Sequence, residues 1–247
     1  MFMHKSTETL DTLSIGALRI IQAKKGYRYS LDPVLLAGFV HPLSASRIVD
    51  LGTGCGILPL LLAGKSEAQE LVGIELQESL ADRASRNVEL NGLQERIRIL
   101  TDDIREVRSL LPVNWADLVV SNPPFRSSAS GRIAPDDERA IARHELFGGL
   151  ADFCAAAAWL LKDGGLFTVI HLAERLPELL AYMQSGNIQP KRLRMVHPHA
   201  DDPARLVLVE GRKAGRPGLL VEPPLVIYRS RGAQRDYSEE ILELYRC

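Results

Sequence analysis

Arg47-Ile48-Val49-Asp50-Leu51-Gly52-Thr53-Gly54-Cys55-Gly56 is the stretch on which the fold turns. Its first five residues are short and mostly apolar, and they run into glycines. That pattern reads as a buried strand entering a tight loop. Glycines at 52, 54 and 56 let the backbone turn sharply and come close to a ligand. The apolar residues that follow, to about Ala63, predict a helix. Strand, glycine loop and helix in that order open an α/β sheet whose ligands bind at the carboxyl ends of its strands. The dinucleotide fingerprint is excluded, because its third glycine would fall where Ile57 stands. A P-loop is excluded as well, since Gly56 is not followed by Gly-Lys-Ser/Thr at the right spacing.

Working outward, strands and helices alternate. Strands are expected at Leu71–Glu75, Ile97–Leu100, Trp115–Val120 and Leu166–His171. Helices are expected at Glu78–Leu90, closed by Asn91-Gly92, at Ile104–Leu111, Ala151–Leu161 and Leu176–Met183. This alternation predicts a parallel sheet with helices on both faces. Leu193–Val196 and Leu206–Val209 read as late, antiparallel strands, and Leu225–Tyr228 as one more. Ser238 caps a terminal helix. Upstream, residues 1 to about 10 read as loose. Leu18–Ala23 reads as a strand that turns at Lys24-Lys25-Gly26 and returns through Tyr27-Arg28-Tyr29. Asp32-Pro33 reads as a helix start with Asp32 as N-cap. We therefore expect an N-terminal hairpin and helix extension, residues 1–41, covering the site, and a main domain at 42–247.

Three more strand ends carry candidate chemistry. Glu75 closes the second strand, where a carboxylate can accept both hydroxyls of a ribose. Asp103 follows the third strand and can accept an adenine amino group; Asp102 can take its place. Ile104 and Leu76 can cover the two faces of the ring. The fourth strand stops at Asn122-Pro123-Pro124-Phe125, where two prolines force a stiff, extended exit. The Asn122 carboxamide oxygen and the Pro123 carbonyl are two acceptors for the two hydrogens of a planar amine. They can draw that nitrogen towards tetrahedral geometry and stabilise the charge that develops on it. Phe125 can stack on the group that carries the amine.

Net charge is −1, so no overall basic signal marks a nucleic-acid binder. The distribution is uneven: residues 186–235 hold ten Lys/Arg against four acids. That is the footprint expected of a basic face, and Arg192 and Arg194 are the candidates for RNA contact. Cys55, Cys154 and Cys247 have neither metal-ligand spacing nor a disulfide framework, which predicts a reduced, cytoplasmic protein without a metal. No apolar run is long enough to span a bilayer. A turn role is expected for His197, His199 and Asp201-Asp202. Residues 126 to 138 form a polar loop beside the site.

With these residues in hand, the chain resembles the class I AdoMet-dependent methyltransferases of the amino-methylating branch. The resemblance rests on Asp-x-Gly-x-Gly-x-Gly at Asp50–Gly56 and on the Asn-Pro-Pro-Phe motif. More narrowly, it is similar to the tRNA1(Val) adenine-N6 methyltransferase family. That likeness runs through Gly26-Tyr27-Arg28-Tyr29-Ser30-Leu31-Asp32, Ala142-Arg143-His144-Glu145 and Pro223-Pro224-Leu225-Val226-Ile227-Tyr228, and covers about residues 10 to 245. It implies a Rossmann-like, mostly parallel seven-stranded sheet and S-adenosyl-L-methionine as cofactor. The cofactor would be held by Tyr29, Ser30, Leu31, Asp50, Gly52, Thr53, Gly54, Cys55, Gly56, Glu75, Leu76, Asp102, Asp103, Ile104 and Asn122. The substrate would be RNA, most simply tRNA, met by Phe125, Arg143 and His144; the sequence does not fix the oligomeric state, and a monomer is favoured. Phe125 stands where the commonest form has Tyr, so no tyrosine hydroxyl acts there. The same Asn-Pro-Pro chemistry also suits a glutamine side chain of a translation protein or a DNA adenine. A non-catalytic RNA-binding protein is the alternative of a different class.

Overall fold

A computed structural model describes residues 6–13, 18–24, 30–41, 45–124, 148–232 and 236–245. The main sheet is built on β3 (Arg47–Leu51), β4 (Glu70–Glu75), β5 (Ile97–Thr101), β6 (Ala116–Ser121), β7 (Leu161–Leu172), β8 (Ile188–His197) and β9 (Leu206–Lys213). Their spatial order is β5-β4-β3-β6-β7-β9-β8. The strands from β5 to β7 are parallel, and β9 runs antiparallel to both β7 and β8. Two short pieces, β10 (Leu220–Val221) and β11 (Leu225–Val226), add parallel to the outer edge of β8. The seven-stranded, Rossmann-like sheet is thus extended to nine strands. The late strand expected at 225–228 keeps only two ladder residues.

The central strands are buried on both faces. Ile48, Leu118 and Val120 point into one core with α1 (Asp32–Phe39) and α2 (Ile57–Lys65). Val49, Val119 and Ile74 point into the other, with α5 (Leu150–Leu160) and α6 (Leu176–Ser185). Alternation of side chains along a strand divides a continuous apolar run in this way. Helix α3 (Glu78–Leu90) sits where its periodicity places it; Asn91 and Gly92 (φ 67°) close it. A single 3-10 turn, Ile104–Glu106, leads into α4 (Val107–Leu110), and α7 (Glu239–Leu244) is capped by the Ser238 hydroxyl.

The N-terminal region differs from expectation in two ways. Residues expected to be loose form β1 (Glu8–Thr12), the antiparallel partner of β2 (Arg19–Ala23). Polar composition misleads here because Glu8 is buried against Arg83 and Arg86 of α3. The expected return strand, Tyr27–Tyr29, lies outside the described residues. Helix α1 begins at Asp32 with Leu31 as its N-cap, so Asp32 is already in the first turn. The hydroxyl of Ser30 accepts from the Asp32 N–H at 3.3 Å.

Chain order reverses beside β3: β4 and β5 extend to one side, then the chain returns to lay β6 on the other. The crevice at the carboxyl ends of β3 and β6 is the topological switch point, where open α/β sheets bind ligands.

Candidate active site

At this crevice the glycine loop and the Asn122 turn face one cavity of about 220 Å³. The two strand ends are tied together, since the buried Ser121 hydroxyl donates to the Leu51 carbonyl at 2.8 Å. Gly52, Gly54 and Gly56 have φ of 73°, 59° and 80°, in the left-handed region that other residues avoid. At Gly52 a Cβ would meet Phe153 at 3.2 Å, and at Gly56 it would meet Ala84 of α3 at 3.1 Å. The first glycine therefore leaves room over an aromatic floor, and the third lets α3 pack against the loop.

The loop is pinned to β4. The Gly52 and Thr53 N–H groups both donate to the Ile74 carbonyl, at 2.9 and 3.0 Å. One Glu75 oxygen accepts from the Gly54 N–H and the other from the Gln77 N–H, both at 2.9 Å. Each oxygen keeps a lone pair for a further donor, and Glu75 lines the cavity. Burial raises its carboxyl above the ordinary range, with the backbone donors opposing that rise.

Asp50 sits beneath the loop rather than on the cavity wall. It is 3 % exposed, in the middle of the sheet, and its Oδ2 has no hydrogen-bond partner. Burial pushes its carboxyl up to about 7; the neighbouring Thr53 opposes the rise and Glu75 adds to it. The Thr53 hydroxyl is likewise buried without a partner. A left-handed glycine cradle walled by the Glu75 and Asp103 carboxylates fits a ligand that brings hydroxyl and amine donors, as AdoMet does. Asp103 lines the cavity while its carboxylate also holds Arg105, which keeps it below the usual carboxylate range. Asp102 is not among the lining residues, and its carboxylate accepts from the Asp103 N–H at 2.8 Å.

Leu76, Ile104, Asn122 and Pro124 complete the wall with Gly52, Gly54, Glu75 and Asp103. Ile74, Gln77, Leu80 and Phe153 join them and were not anticipated. Gln77 and Leu80 could have been found from their position at the start of the helix after Glu75. Phe153 has no local signal, because it arrives from a helix distant in sequence. Cys55 and Gly56 are loop residues set against α3 and not on the wall; burial pushes the Cys55 thiol up to about 11. Ser30 and Leu31 are not among the lining residues. Tyr29, Phe125, Arg143, His144 and the 126–138 loop lie outside the described residues.

Four arginines of the basic stretch are held in ion pairs. Arg192 lies over the Phe39 ring at 4.2 Å and pairs with Glu210 and Glu222. Arg194 is held by Glu240 and the Pro223 carbonyl. Arg229 and Arg231 pair with Asp236, Glu239, Asp201 and Asp202. Counting charges along the sequence overlooked acids from the terminal helix. Arg192 and Arg194 thus staple the sheet edge, and neither is among the residues lining the cavity. The turn histidines are bound locally, His197 to the Asp202 carbonyl and His199 to its carboxylate. Among the described residues no three His, Cys, Asp or Glu side chains cluster as metal ligands, and no helix is long and apolar enough to cross a membrane.

Solved structures that superpose on this chain include methyltransferases. A predicted O-methyltransferase from Agrobacterium tumefaciens superposes with a TM-score of 0.70 at 24% identity, over 87% of this chain and 96% of its own. Geranyl diphosphate C-methyltransferase from Streptomyces coelicolor, solved with S-adenosyl-L-homocysteine, gives 0.57 at 13% identity, over 74% and 76%. At such identities these likenesses speak for the fold and leave the acceptor atom open. In sequence, a tRNA1(Val) (adenine(37)-N6)-methyltransferase of Porphyromonas gingivalis is 33% identical over 80% of this chain and 79% of its own. One of the same name from Tolumonas auensis is 29% identical over 91% of each. The methyltransferase small domain matches residues 32–185, from the first residue of α1 to the last of α6. That span carries every strand and loop that walls the cavity, and the chain accordingly belongs to the methyltransferase small-domain family and is an AdoMet-dependent methyltransferase.

Proposed function

We propose that this enzyme methylates the exocyclic N6 amine of an adenine in tRNA. One observation carries the reading: Asn122 and Pro124 line the same cavity as the glycine loop, Glu75 and Asp103. The names of the relatives support the choice of tRNA adenine as acceptor. When bound, the cofactor supplies an electrophilic methyl group. The protein's work is then alignment and charge stabilisation. Asp50 and Thr53 support the loop from beneath, and Glu75 has lone pairs for the ribose. Leu76 and Ile104 offer apolar surface to the adenine ring of the cofactor, and Asp103 an acceptor for its amine.

For the substrate, Asn122 Oδ1 and the Pro123 carbonyl receive the two amine hydrogens. This keeps the nitrogen lone pair free for attack and stabilises the positive charge as the bond forms. The target base leaves its stack to reach them. Phe125 stacks on it, with Arg143 and His144 at the RNA side. Residues 1–41 act as an extension over the cofactor end, near Tyr29, Ser30 and Leu31. The separate hydrogen-bonded sheet of β1 and β2 supports that division, although the family match already begins at residue 32. The enzyme works as a cytoplasmic monomer and needs no metal.

The test is incubation with methyl-labelled AdoMet and separate tRNA, rRNA, DNA and protein fractions, followed by digestion of the labelled fraction. Label in tRNA as N6-methyladenosine is the expected result. Label in protein as methylglutamine, or none in any fraction, overturns the reading.

A further inference from the structure

Helix α3 treats strand β2 as a sheet neighbour would. Asn91 accepts from the Arg19 N–H at 2.9 Å and donates to the Arg19 carbonyl at 2.7 Å. One turn earlier, Asn87 accepts from the Ile21 N–H at 2.6 Å and donates to the Ile21 carbonyl at 3.2 Å. Residues 19 and 21 present their backbone groups on the same edge of β2. Two carboxamides four residues apart on one helix face thus complete the edge that β1 leaves open. Asn87 does more than this. It is fully buried, and its Nδ2 also donates to the Cys55 carbonyl at 2.9 Å, inside the glycine loop between Gly54 and Gly56. The Cys55 carbonyl is therefore oriented by a side chain whose own orientation is fixed by the hairpin. At the other end of the hairpin, buried Glu8 is gripped by Arg83 and Arg86 of the same helix, Arg86 at 2.7 Å.

We propose that Asn87 is a positioning residue that couples docking of the β1–β2 hairpin to the shape of the cofactor loop, so that the hairpin and AdoMet strengthen each other's binding. The proposal rests on the glycine loop being the AdoMet loop. An undocked hairpin leaves Asn87 without the Ile21 N–H and free to release the Cys55 carbonyl. The loop, with three residues in the left-handed region, then loses one of its fixed points. Coupling is reciprocal, so cofactor binding tightens the hairpin by the same factor.

Calorimetric titration of AdoMet into wild type, Asn87→Ala, Glu8→Ala and the double variant tests this, beside hydrogen exchange of residues 19–23 with and without AdoMet. Each single variant is expected to weaken AdoMet by about fivefold or more, within the usual range of coupling. The rate at saturating AdoMet should stay within about twofold of wild type. The double variant should bind no worse than the weaker single one, because both act through one path. AdoMet should slow exchange at 19–23 in wild type and not in Asn87→Ala. If Asn87→Ala fails to fold, Glu8→Ala decides by the same affinity criterion. Unchanged AdoMet affinity in the soluble variants, effects that multiply in the double variant, or exchange at 19–23 indifferent to AdoMet in wild type overturns the coupling. Failure of wild type itself to bind AdoMet overturns the cofactor reading, and the coupling falls with it.

Discussion

The Gly54 backbone N–H donates to the Glu75 carboxylate at 2.9 Å, across two adjacent strand ends. The carboxylate expected to bind cofactor thus also builds the loop that cradles it. Glu75→Gln preserves shape but replaces one acceptor with an NH₂ that faces a backbone N–H. Affinity for AdoMet should fall about tenfold to hundredfold, the equivalent of roughly 1.5–3 kcal/mol for a charged hydrogen bond. Calorimetry returning the wild-type affinity would show that neither role matters.

Asp50 predicts a pH dependence. Its carboxyl is ordinarily near 3.8 and is pushed up to about 7 by burial. Between those values the folded chain holds a proton that the unfolded chain has released. Stability from this group therefore falls as pH rises through that window and levels off above it. Asp50→Asn removes the effect. The stability of wild type minus that of the variant should decline with rising pH, by up to about 1.4 kcal/mol per unit. Urea unfolding of both proteins from pH 4.5 to 7.5 measures it, and a flat difference argues that Asp50 is ionised in the folded chain.

Two glycines make a matched pair. At Gly56 φ is 80° and a Cβ would meet the Ala84 Cβ at 3.1 Å, whereas Gly64 has nothing within 4 Å. Gly56→Ala should cost at least about 1–2 kcal/mol from the left-handed backbone alone. Gly64→Ala, in helix α2, should gain about 0.5–1 kcal/mol. Thermal unfolding of both variants tests the sign of each.

Arg192 should matter for stability and not for RNA. Removing it leaves Glu210 and Glu222 without their shared partner at a mostly buried position. Arg192→Ala should destabilise by up to about 3–5 kcal/mol. At a temperature where the variant is folded, its affinity for tRNA should match wild type. A drop in affinity without a drop in stability would return Arg192 to the RNA surface.

The fold was legible where periodicity and glycines act locally. Val49 and Val119 in continuous apolar runs read as central strands, and Glu78–Leu90 carries both its amphipathic face and its Asn-Gly stop. The hairpin was not legible. Glu8 and Asn87 are polar and buried, and they find partners 75 and 66 residues away. The two-residue strands β10 and β11 exist only because β8 offers an edge. At the site, Gly52, Gly54, Glu75, Asp103 and Asn122 could be named because each follows a strand, and strand ends of a parallel sheet converge. Phe153 could not, since its place on the cavity floor depends on how α5 packs. The ion pairs of Arg192 with Glu210 and Glu222, and of Arg194 with Glu240, could not be read from a charge count, because the folded chain brings those partners together.

We propose that the methyl group is transferred at the Asn122 turn. This is tested most directly by single-turnover methylation of tRNA by Asn122→Ala, with AdoMet titration of the same protein. Loss of one preorganised acceptor should slow transfer by about 10²–10³. AdoMet should still bind, since its main polar contacts come from the ends of β3, β4 and β5. Transfer at the wild-type rate would contradict the account and leave Asn122-Pro123-Pro124 as a turn that merely ends a strand.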